Sequence, residues 1–314
     1  MRLRSLTLLA AAAVFGIAAV SAYAGEPLRI GYQKSSTLAT LLKSQGTLEK
    51  ALAPQGVTVS WHEFASGLPM LEALNLGNVD VSADVADTVP LFAQAAGAQL
   101  AYFAQESASP DAQAVVVHED SAIQRLADLK GKKIAVTKAA GSHYLLLAAL
   151  KKGGLTIDDV SPAYLTPADG RAAFENGKVD AWVTWEPFLT SVQQQLPVRT
   201  LDEARGLAQY KRYYLTSTQY ANSHGDVLKV VFNELQKVGR WAKANPADAA
   251  KVLGPLWGNL PPATVEAANA HRTYDVQPVT LDQLGEQQAI ADAFVSAKLL
   301  PKPVDAKAVA TWQP

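Results

Sequence analysis

The sequence has 314 residues, a formal net charge of −1 and no cysteine. The absence of cysteine excludes a disulfide framework, a thiolate metal site, a cysteine nucleophile and a lipid-modified N-terminal cysteine. Its 28 basic and 29 acidic side chains are balanced and form no basic stripe, so nucleic acid is not expected as a partner.

Residues 1–24 are typical of a cleaved export signal. Arg2 and Arg4 precede an apolar run of 15 residues, 6–20, and Ala22-Tyr-Ala24 has the small-x-small pattern of a cleavage site. The run is short for a membrane span, which takes about 20 residues. We therefore expect a periplasmic protein, soluble after cleavage near Ala24. Its mature chain of about 290 residues is long enough for one large domain or two.

A strand that leads directly into a helix opens the predicted fold. The pattern predicts a strand from Leu28 to Gln33, cap residues at 35–37, and a helix from Leu38. The free N–H groups of such a helix start, together with the helix dipole, can bind an anion without a cationic side chain. Ser36 and Thr37 either add donors to this site or only cap the helix.

Two further helix starts follow in the first half. The strand 57–64 leads through Ser66 and Gly67 into a helix, which makes these residues a weaker candidate anion site. The next strand ends before Asp87 and Thr88, where another helix begins. Asp87 is either an N-cap or an acceptor that faces a ligand.

The second half of the chain repeats the pattern of the first. The strand 133–138 and the helix 144–150 match the first strand and helix at a shift of 104 positions. Leu74–Val81 matches Phe174–Ala181 at a shift of 100 positions. Two related α/β halves are therefore predicted. Ligands bind at the carboxyl ends of strands in such sheets, so the two edges are expected to face each other across a cleft.

The repeated helix start contains Gly141, Ser142 and His143. His143 lies in the first turn, where it either donates a hydrogen bond to an anion or is an ordinary surface residue. Trp185 and Glu186 follow at the end of a later strand. Trp185 is either an aromatic wall of the cleft or packed under the next helix.

Beyond a returning strand at 213–218 the pattern is helical to residue 299. Two crossings between the halves, near 106–119 and 205–220, predict a two-strand hinge. The expected first lobe comprises residues 25–110 and 220–314, and the expected second lobe comprises residues 111–219.

Sequence motifs for catalysis are missing. There is no His-Glu-x-x-His, no P-loop, no Gly-x-Ser-x-Gly, and no dinucleotide-binding glycine motif after a strand. No histidine lies at metal-ligand spacing from another. We therefore predict a binding protein without catalytic residues, metal or cofactor.

Six separated segments resemble the periplasmic aliphatic-sulfonate-binding proteins of ABC importers, within the wider nitrate/sulfonate/taurine-binding family. These segments are Leu28–Lys34, Gly46–Glu49, Phe92–Gly97, His143–Leu146, Asp180–Phe188 and Ile290–Phe294. The resemblance implies the two-lobed type II periplasmic-binding-protein fold, in which each lobe is a mixed sheet flanked by helices. It also implies an organosulfonate ligand, an ABC permease with its ATPase as partners, and a monomer.

Combined with the helix starts, the resemblance implies a sulfonate site between the lobes. Its expected ligand-binding residues are Gln33, Ser36, Thr37, Ser66, Gly67, Asp87, Thr88, Gly141, Ser142, His143, Trp185, Glu186 and Tyr214. Trp185, Tyr214 and Phe64 would line the organic tail. Asp87 and Glu186 would lie at the rim, or bind an ammonium group such as that of taurine.

The alternatives keep the fold and change the ligand to taurine, nitrate, a sulfate ester or a heterocyclic precursor. An enzyme on the same scaffold, as in thiamine-pyrimidine synthesis, carries a cysteine-rich motif and works in the cytosol. The missing cysteines and the export signal argue against it.

Overall fold

The computed structural model describes residues 27–314, and the predicted export signal lies outside them. The described chain forms two mixed β-sheets with helices on both faces of each. Within residues 27–314, no helix has the length and apolar character needed to cross a bilayer.

The first sheet has seven strands. They are β1 (Pro27–Gln33), β2 (Thr58–Phe64), β3 (Val81–Ala86), β4 (Leu100–Glu106), β10 (Arg212–Ser217), β11 (Val276–Gln277) and β12 (Ala310–Thr311). Their order is β11-β4-β10-β3-β1-β2, and β12 also pairs with β4. β1 runs parallel to both neighbours, whereas β10 is antiparallel to β3 and β4.

The second sheet has five strands in the order β7-β6-β8-β5-β9. They are β5 (Gln113–His118), β6 (Lys133–Val136), β7 (Ser161–Tyr164), β8 (Ala181–Trp185) and β9 (Val198–Glu203). β6 is parallel to β7 and β8, and β5 is antiparallel to β8 and β9.

Twelve α-helices lie in the described chain. They are α1 (Thr37–Gln45), α2 (Thr47–Leu52), α3 (Gly67–Asn75), α4 (Val89–Ala95), α5 (Gly141–Lys152), α6 (Pro167–Glu175), α7 (Phe188–Gln195), α8 (Thr218–Ser223), α9 (Gly225–Ala244), α10 (Pro246–Leu256), α11 (Pro262–Ala270) and α12 (Gly285–Ser296). Short 3₁₀ helices lie at Ala53–Gln55, Pro110–Ala112, Leu126–Leu129, Ile157–Asp159 and Leu281–Leu284. The last part of the segment predicted to be helical, up to residue 299, is therefore a 3₁₀ turn at Leu281–Leu284 followed by α12.

The two sheets repeat one pattern, as predicted. Asp80 accepts a hydrogen bond from the Arg29 backbone N–H at 2.7 Å, and Asp180 accepts one from Lys133 N–H at 2.7 Å. Asp80 directly precedes β3 and binds the parallel strand β1, and Asp180 directly precedes β8 and binds the parallel strand β6. The arrangement β2-β1-β3 thus corresponds to β7-β6-β8, which places the starts of α1 and α5 at equivalent edges.

The strand pairing shifts the predicted end of the second lobe. β10 lies between β3 and β4 in the first sheet, although the expected second lobe extended to residue 219. The hydrogen bonds of β10 attach it to the first sheet from Arg212 onward. We use lobe 1 for residues 27–106 and 212–314, and lobe 2 for residues 113–203. Segments 107–112 and 204–211 connect the lobes and share the bond from Ser109 N–H to Gln209 C=O, 3.0 Å.

Apolar clusters fill both faces of each sheet. The long helix α9 covers one face of the first sheet with an apolar stripe, and α3 and α4 cover the other. In lobe 2, α5 covers one face, and Trp182 packs with Phe174 and Leu189 on the other. Trp182 is 2% exposed and belongs to the core of lobe 2. Burial on both faces leaves the strand ends as the edges available to a ligand.

Candidate functional site

The carboxyl ends of the parallel strands in the two lobes meet in the structure. The Thr88 hydroxyl, at the start of α4, donates a 2.6 Å hydrogen bond to the carbonyl of Ala139, just before α5. A methyl group at Gly141 would lie 2.6 Å from the ring of Tyr210 and 3.1 Å from Ala86 Cβ. These contacts place the second helix start directly against lobe 1 and the connecting segment.

The first predicted helix start is buried and well ordered by its own bonds. The Ser36 hydroxyl oxygen accepts from Gln33 N–H at 3.2 Å, which leaves its own hydrogen available to donate. Thr37 begins α1, and its hydroxyl oxygen accepts from Tyr274 at 3.1 Å. The Gln33 amide donates to the Asp84 carbonyl at 3.1 Å, so it stabilises the turn. The hydroxyl hydrogens of Ser36 and Thr37 both stay available to a ligand, and their contact with one stays a prediction.

Two other lobe 1 positions have mainly packing roles. Ser66 is the N-cap of α3, but its side chain accepts no capping bond. Gly67 lies against Val85 and Val89, because a methyl group there would be 3.0 Å and 3.1 Å from them. A glycine here lets the start of α3 approach the start of α4 closely. Their contact with a ligand stays a prediction.

The turn that precedes the second predicted helix start, that of α5, has an unusual backbone conformation. Ala139 adopts φ 62°, a left-handed conformation that is strained for a residue other than glycine. The first N–H groups of α5, those of Gly141 and Ser142, have no acceptor within the helix, as at any helix start. The Ser142 hydroxyl is fully buried and has no hydrogen-bond partner among the described residues. It is therefore a donor that the protein does not use.

His143 is buried rather than exposed. Its Nδ1 accepts from Ala139 N–H at 3.2 Å, and its ring lies against Tyr164 and Phe294 at 5.2 Å and 5.0 Å between centroids. Burial, with the nearby charge of Lys138, lowers the pKa of His143 to about 4. The imidazole is therefore neutral near pH 7 and contributes no positive charge. A hydrogen bond from its Nε2 to an anion stays a prediction.

An aromatic wall borders the cleft. Trp185 and Phe188 pack edge to face, 5.8 Å between ring centroids, in the apolar cluster that also contains Phe64, Ala140 and Tyr210. The indole N–H of Trp185 is buried and has no acceptor among residues 27–314. Lobe 1, lobe 2 and the connecting segment all contribute to this cluster.

Tyr214 does not join that wall. It is buried in the α9-facing core of lobe 1, and its hydroxyl donates to Glu106 at 2.7 Å. Successive residues of a strand point to opposite faces, so Tyr213 is on the same side as the aromatic wall and Tyr214 is not. The structure thus removes Tyr214 from the tail-lining residues.

The carboxylate of Glu186 is fully engaged by the protein. It accepts from the Thr190 hydroxyl at 2.7 Å, from Thr190 N–H at 3.1 Å, and from His271 Nδ1 at 2.6 Å. His271 follows α11 of lobe 1, so this last bond crosses the cleft. The hydrogen bond to Glu186 raises the pKa of His271, because it favours the protonated imidazole. A third bond between the lobes, beside those of Thr88 and His271, joins Thr264 to Gln194 at 2.5 Å.

Asp87 is also directed into the protein. Its carboxylate accepts from Lys211 N–H at 3.2 Å, and its backbone carbonyl accepts from the Gln287 amide at 2.8 Å. Burial raises the pKa of Asp87 to about 7, so the carboxyl is partly protonated at neutral pH. Both oxygens of Glu186 are therefore bonded to the protein, whereas Asp87 is buried, partly neutral and bonded through one oxygen.

Sequence reasoning missed a buried charge network beneath the first helix start. Arg212 Nε donates to Asp84 at 2.7 Å, and Arg272 donates to Glu106 at 2.6 Å. Arg212 also donates to the hydroxyl of Tyr210 at 2.8 Å, and the ring of Tyr210 lies against Gly141. The two arginines and two acids compensate each other. Their contacts join residues far apart in sequence, so no local motif signals them.

Comparisons with known proteins show the family of the chain. The family model described as NMT1/THI5 like matches residues 52–249. The alkanesulfonate-binding protein SsuA from Xanthomonas axonopodis pv. citri, solved bound to MOPS, is 39% identical with a TM-score of 0.86, covering 92% of this chain and 98% of that one. The periplasmic aliphatic sulphonate binding protein SsuA from Escherichia coli is 40% identical with a TM-score of 0.81, covering 90% and 96%.

A more distant relative has a different named ligand. The taurine-binding periplasmic protein of Escherichia coli K12 is 29% identical over 202 residues, 64% of this chain and 61% of that protein. The match to the SsuA structures confirms the predicted two-lobed periplasmic-binding-protein fold. The chain belongs to the NMT1/THI5-like family and, within it, to the aliphatic sulfonate-binding proteins.

Proposed function

We propose that this protein captures an alkanesulfonate between its lobes in the periplasm and delivers it to an ABC permease with its ATPase. The carrying observation is that the start of α5 lies against Ala86 and Thr88 of lobe 1, beside two donors that have no protein acceptor, the Ser142 hydroxyl and the Trp185 indole N–H. The named ligands of the two SsuA relatives support the ligand class. Residues 27–106 with 212–314, and residues 113–203, would be the two moving bodies, in a monomeric protein.

Neutral donors suit a sulfonate. The group is ionised at physiological pH and has three acceptor oxygens, which the N–H groups and hydroxyls of helix starts can bind. The buried arginines near the site are already paired with Asp84 and Glu106. A site of this kind avoids an uncompensated buried cation when no ligand is bound. The proposed role requires no bond to be broken, so we infer a binding protein and not an enzyme.

The tail is proposed to be uncharged. Phe64, Trp185 and Phe188 supply an apolar wall. Asp87 and Glu186, which would be needed for the ammonium of taurine, are bonded to protein donors instead. An alkyl chain therefore fits better than taurine, which is the second candidate because a taurine-binding protein is among the relatives.

Thermal unfolding of the mature protein tests the ligand. We expect stabilisation by ethane-, butane- and octanesulfonate that grows with chain length, and a smaller effect of taurine, nitrate and sulfate. A ligand at about 100 times its dissociation constant adds about 2.7 kcal/mol to the free energy of unfolding, a shift of a few degrees. No shift with any sulfonate would overturn the ligand assignment. A shift with taurine alone would favour the second candidate.

Ligand affinity is expected to fall as pH rises. When the lobes separate, His271 loses Glu186 and its pKa returns toward the ordinary value of about 6.5. The closed form has the raised pKa, so it binds the proton more tightly than the open form. Protonation of His271 therefore stabilises the closed form relative to the open form, and the whole of this stabilisation is present below the open-form pKa. It is lost as the pH rises through the closed-form pKa. Calorimetric titration between pH 5 and pH 9 measures it.

The matched variants are His271→Gln and His62→Gln. The first should flatten the pH dependence, whereas the second changes an exposed histidine of β2 and should leave it intact. An unchanged pH profile in His271→Gln would show that the bond to Glu186 does not take part in closure.

A further inference from the structure

Two lysines occupy equivalent positions beside the two proposed helix starts. Lys34 directly follows β1, and Lys138 lies two residues beyond β6, at the shift of 104 positions that relates the two halves of the chain. Lys34 is two residues before Ser36, and Lys138 is three residues before Gly141. Because the repeat places the starts of α1 and α5 at equivalent edges of the two sheets, each lobe carries one lysine at the edge that borders the cleft.

Neither lysine is used by the fold. Both side chains are exposed, and neither takes part in a salt bridge or a side-chain hydrogen bond within residues 27–314. Arg212, beneath the first helix start, is instead buried and compensated by Asp84. A single unpaired lysine on a surface needs no explanation, but one at the same position of each lobe leaves two free cations beside the path of an approaching anion.

The charge of Lys138 reaches the second helix start. Burial and then the charge of Lys138 lower the pKa of His143, which lies in the first turn of α5. Glu72 of α3 lines the same cavity as Lys138 but forms no salt bridge with it in the described chain. Glu72 belongs to lobe 1 and Lys138 to lobe 2, so separation of the lobes moves this opposing charge away. Lys138 is therefore least compensated in the open form, which is the form that meets the ligand.

The charge of Lys34 is uncompensated as well. Lys34 lines a cavity of lobe 1 together with Lys43, Glu63 and Trp257. The Tyr32 hydroxyl accepts from Lys43 Nζ at 2.8 Å and donates to Glu63 at 3.1 Å, so these two opposite charges offset each other. The Trp257 indole donates to the Lys34 backbone carbonyl at 2.6 Å, which fixes the turn that carries the lysine. The side chain of Lys34 thus has no counter-charge of its own in this cavity.

We propose that Lys34 and Lys138 guide the anionic sulfonate into the open cleft and set the rate of its capture, without contacting it in the closed complex. This inference rests on the proposed function and deepens it. The N–H groups and hydroxyls of the helix starts are dipoles and attract an anion only at short range. Formal charges act over the Debye length, about 8 Å at physiological ionic strength and about 30 Å at 0.01 M. One cation on each lobe draws the anion between the two helix starts.

Stopped-flow tryptophan fluorescence with butanesulfonate measures the association and dissociation rate constants that test this role. The double variant, Lys34→Gln with Lys138→Gln, removes both charges and keeps side chains of similar length. A unit charge about 10 Å from an anion in water changes its local concentration about twofold, so we expect an association rate constant about fourfold lower at an ionic strength of about 0.01 M. The dissociation rate constant should stay unchanged. At about 1 M salt, where the Debye length is about 3 Å, the variant and wild type should associate equally fast.

The matched control is Lys178→Gln with Lys229→Gln, which makes the same change in net charge at two exposed positions. Lys178 precedes β8, at the edge of the second sheet opposite to the cleft, and Lys229 lies on the outer side of α9. This control should associate as wild type does. Equal association rate constants in the two double variants, or a loss that appears in the dissociation rate constant and persists at high salt, would overturn guidance by the two lysines while the proposed function stands. Failure of wild type to bind any sulfonate would overturn both.

Discussion

Replacing Gly141 with alanine is expected to weaken sulfonate binding by about tenfold to a hundredfold. The added methyl group would lie 2.6 Å and 2.7 Å from two ring atoms of Tyr210 and 3.1 Å from Ala86 Cβ. Overpacking of this kind costs about 1–3 kcal/mol, and each 1.4 kcal/mol corresponds to tenfold in affinity. The methyl group prevents close approach of the lobes, so the cost falls on the closed form that holds the ligand. Calorimetric titration with butanesulfonate measures the loss.

Gly285→Ala is the matched control. Gly285 begins α12 with a helical φ of −58°, and a methyl group there would meet no atom within 4 Å. This variant should bind as wild type does. Wild-type affinity in Gly141→Ala, with an unchanged melting temperature, would show that the contact with Tyr210 does not limit closure.

Replacing Arg212 with methionine is expected to lower the free energy of unfolding by about 3–5 kcal/mol. Arg212 is 2% exposed and Asp84 is fully buried, and the two side chains are bonded through Nε and Nη2. Removing the guanidinium leaves the Asp84 carboxylate in the interior without its main partner, and it also removes the donor to Tyr210. Urea denaturation followed by circular dichroism measures the change.

The comparison variant is Lys251→Met. Lys251 pairs with Asp248 on the surface of α10, where the two side chains are 70% and 61% exposed. Solvent and salt screen such a pair, so no measurable change in the urea midpoint is expected. Similar midpoints for Arg212→Met and wild type would mean that the buried network does not support the fold.

The sequence was sufficient for the architecture because the signals for it are local. The N-cap residues before α1, the repeat of that pattern before α5, and the aligned glycines Gly77 and Gly177 all act within one or two turns of the chain. Both glycines have positive φ, 71° and 62°, as expected for residues that end a helix. The predicted ends of the strands and helices therefore lie within a few residues of the observed ends.

The side-chain environment of the site could not be read in the same way. Tyr213 and Tyr214 are adjacent and identical in type, and only the sheet decides which of them points toward Trp185. His143 was assigned to the helix start by position, but its burial against Phe294 depends on a helix 150 residues later.

The position of β10 also has a consequence for the order in which the protein folds. The second sheet is built from the continuous segment 113–203, whereas β10 joins β3 to β4 only after residue 212. β3 and β4 do not pair with each other, so the first sheet stays divided until the chain has passed through the whole second lobe and reached β10. Until then two strand edges are exposed to wrong partners. Lobe 2 can therefore fold as an early unit, and completion of lobe 1 is the late step that bears the cost of closing a long loop.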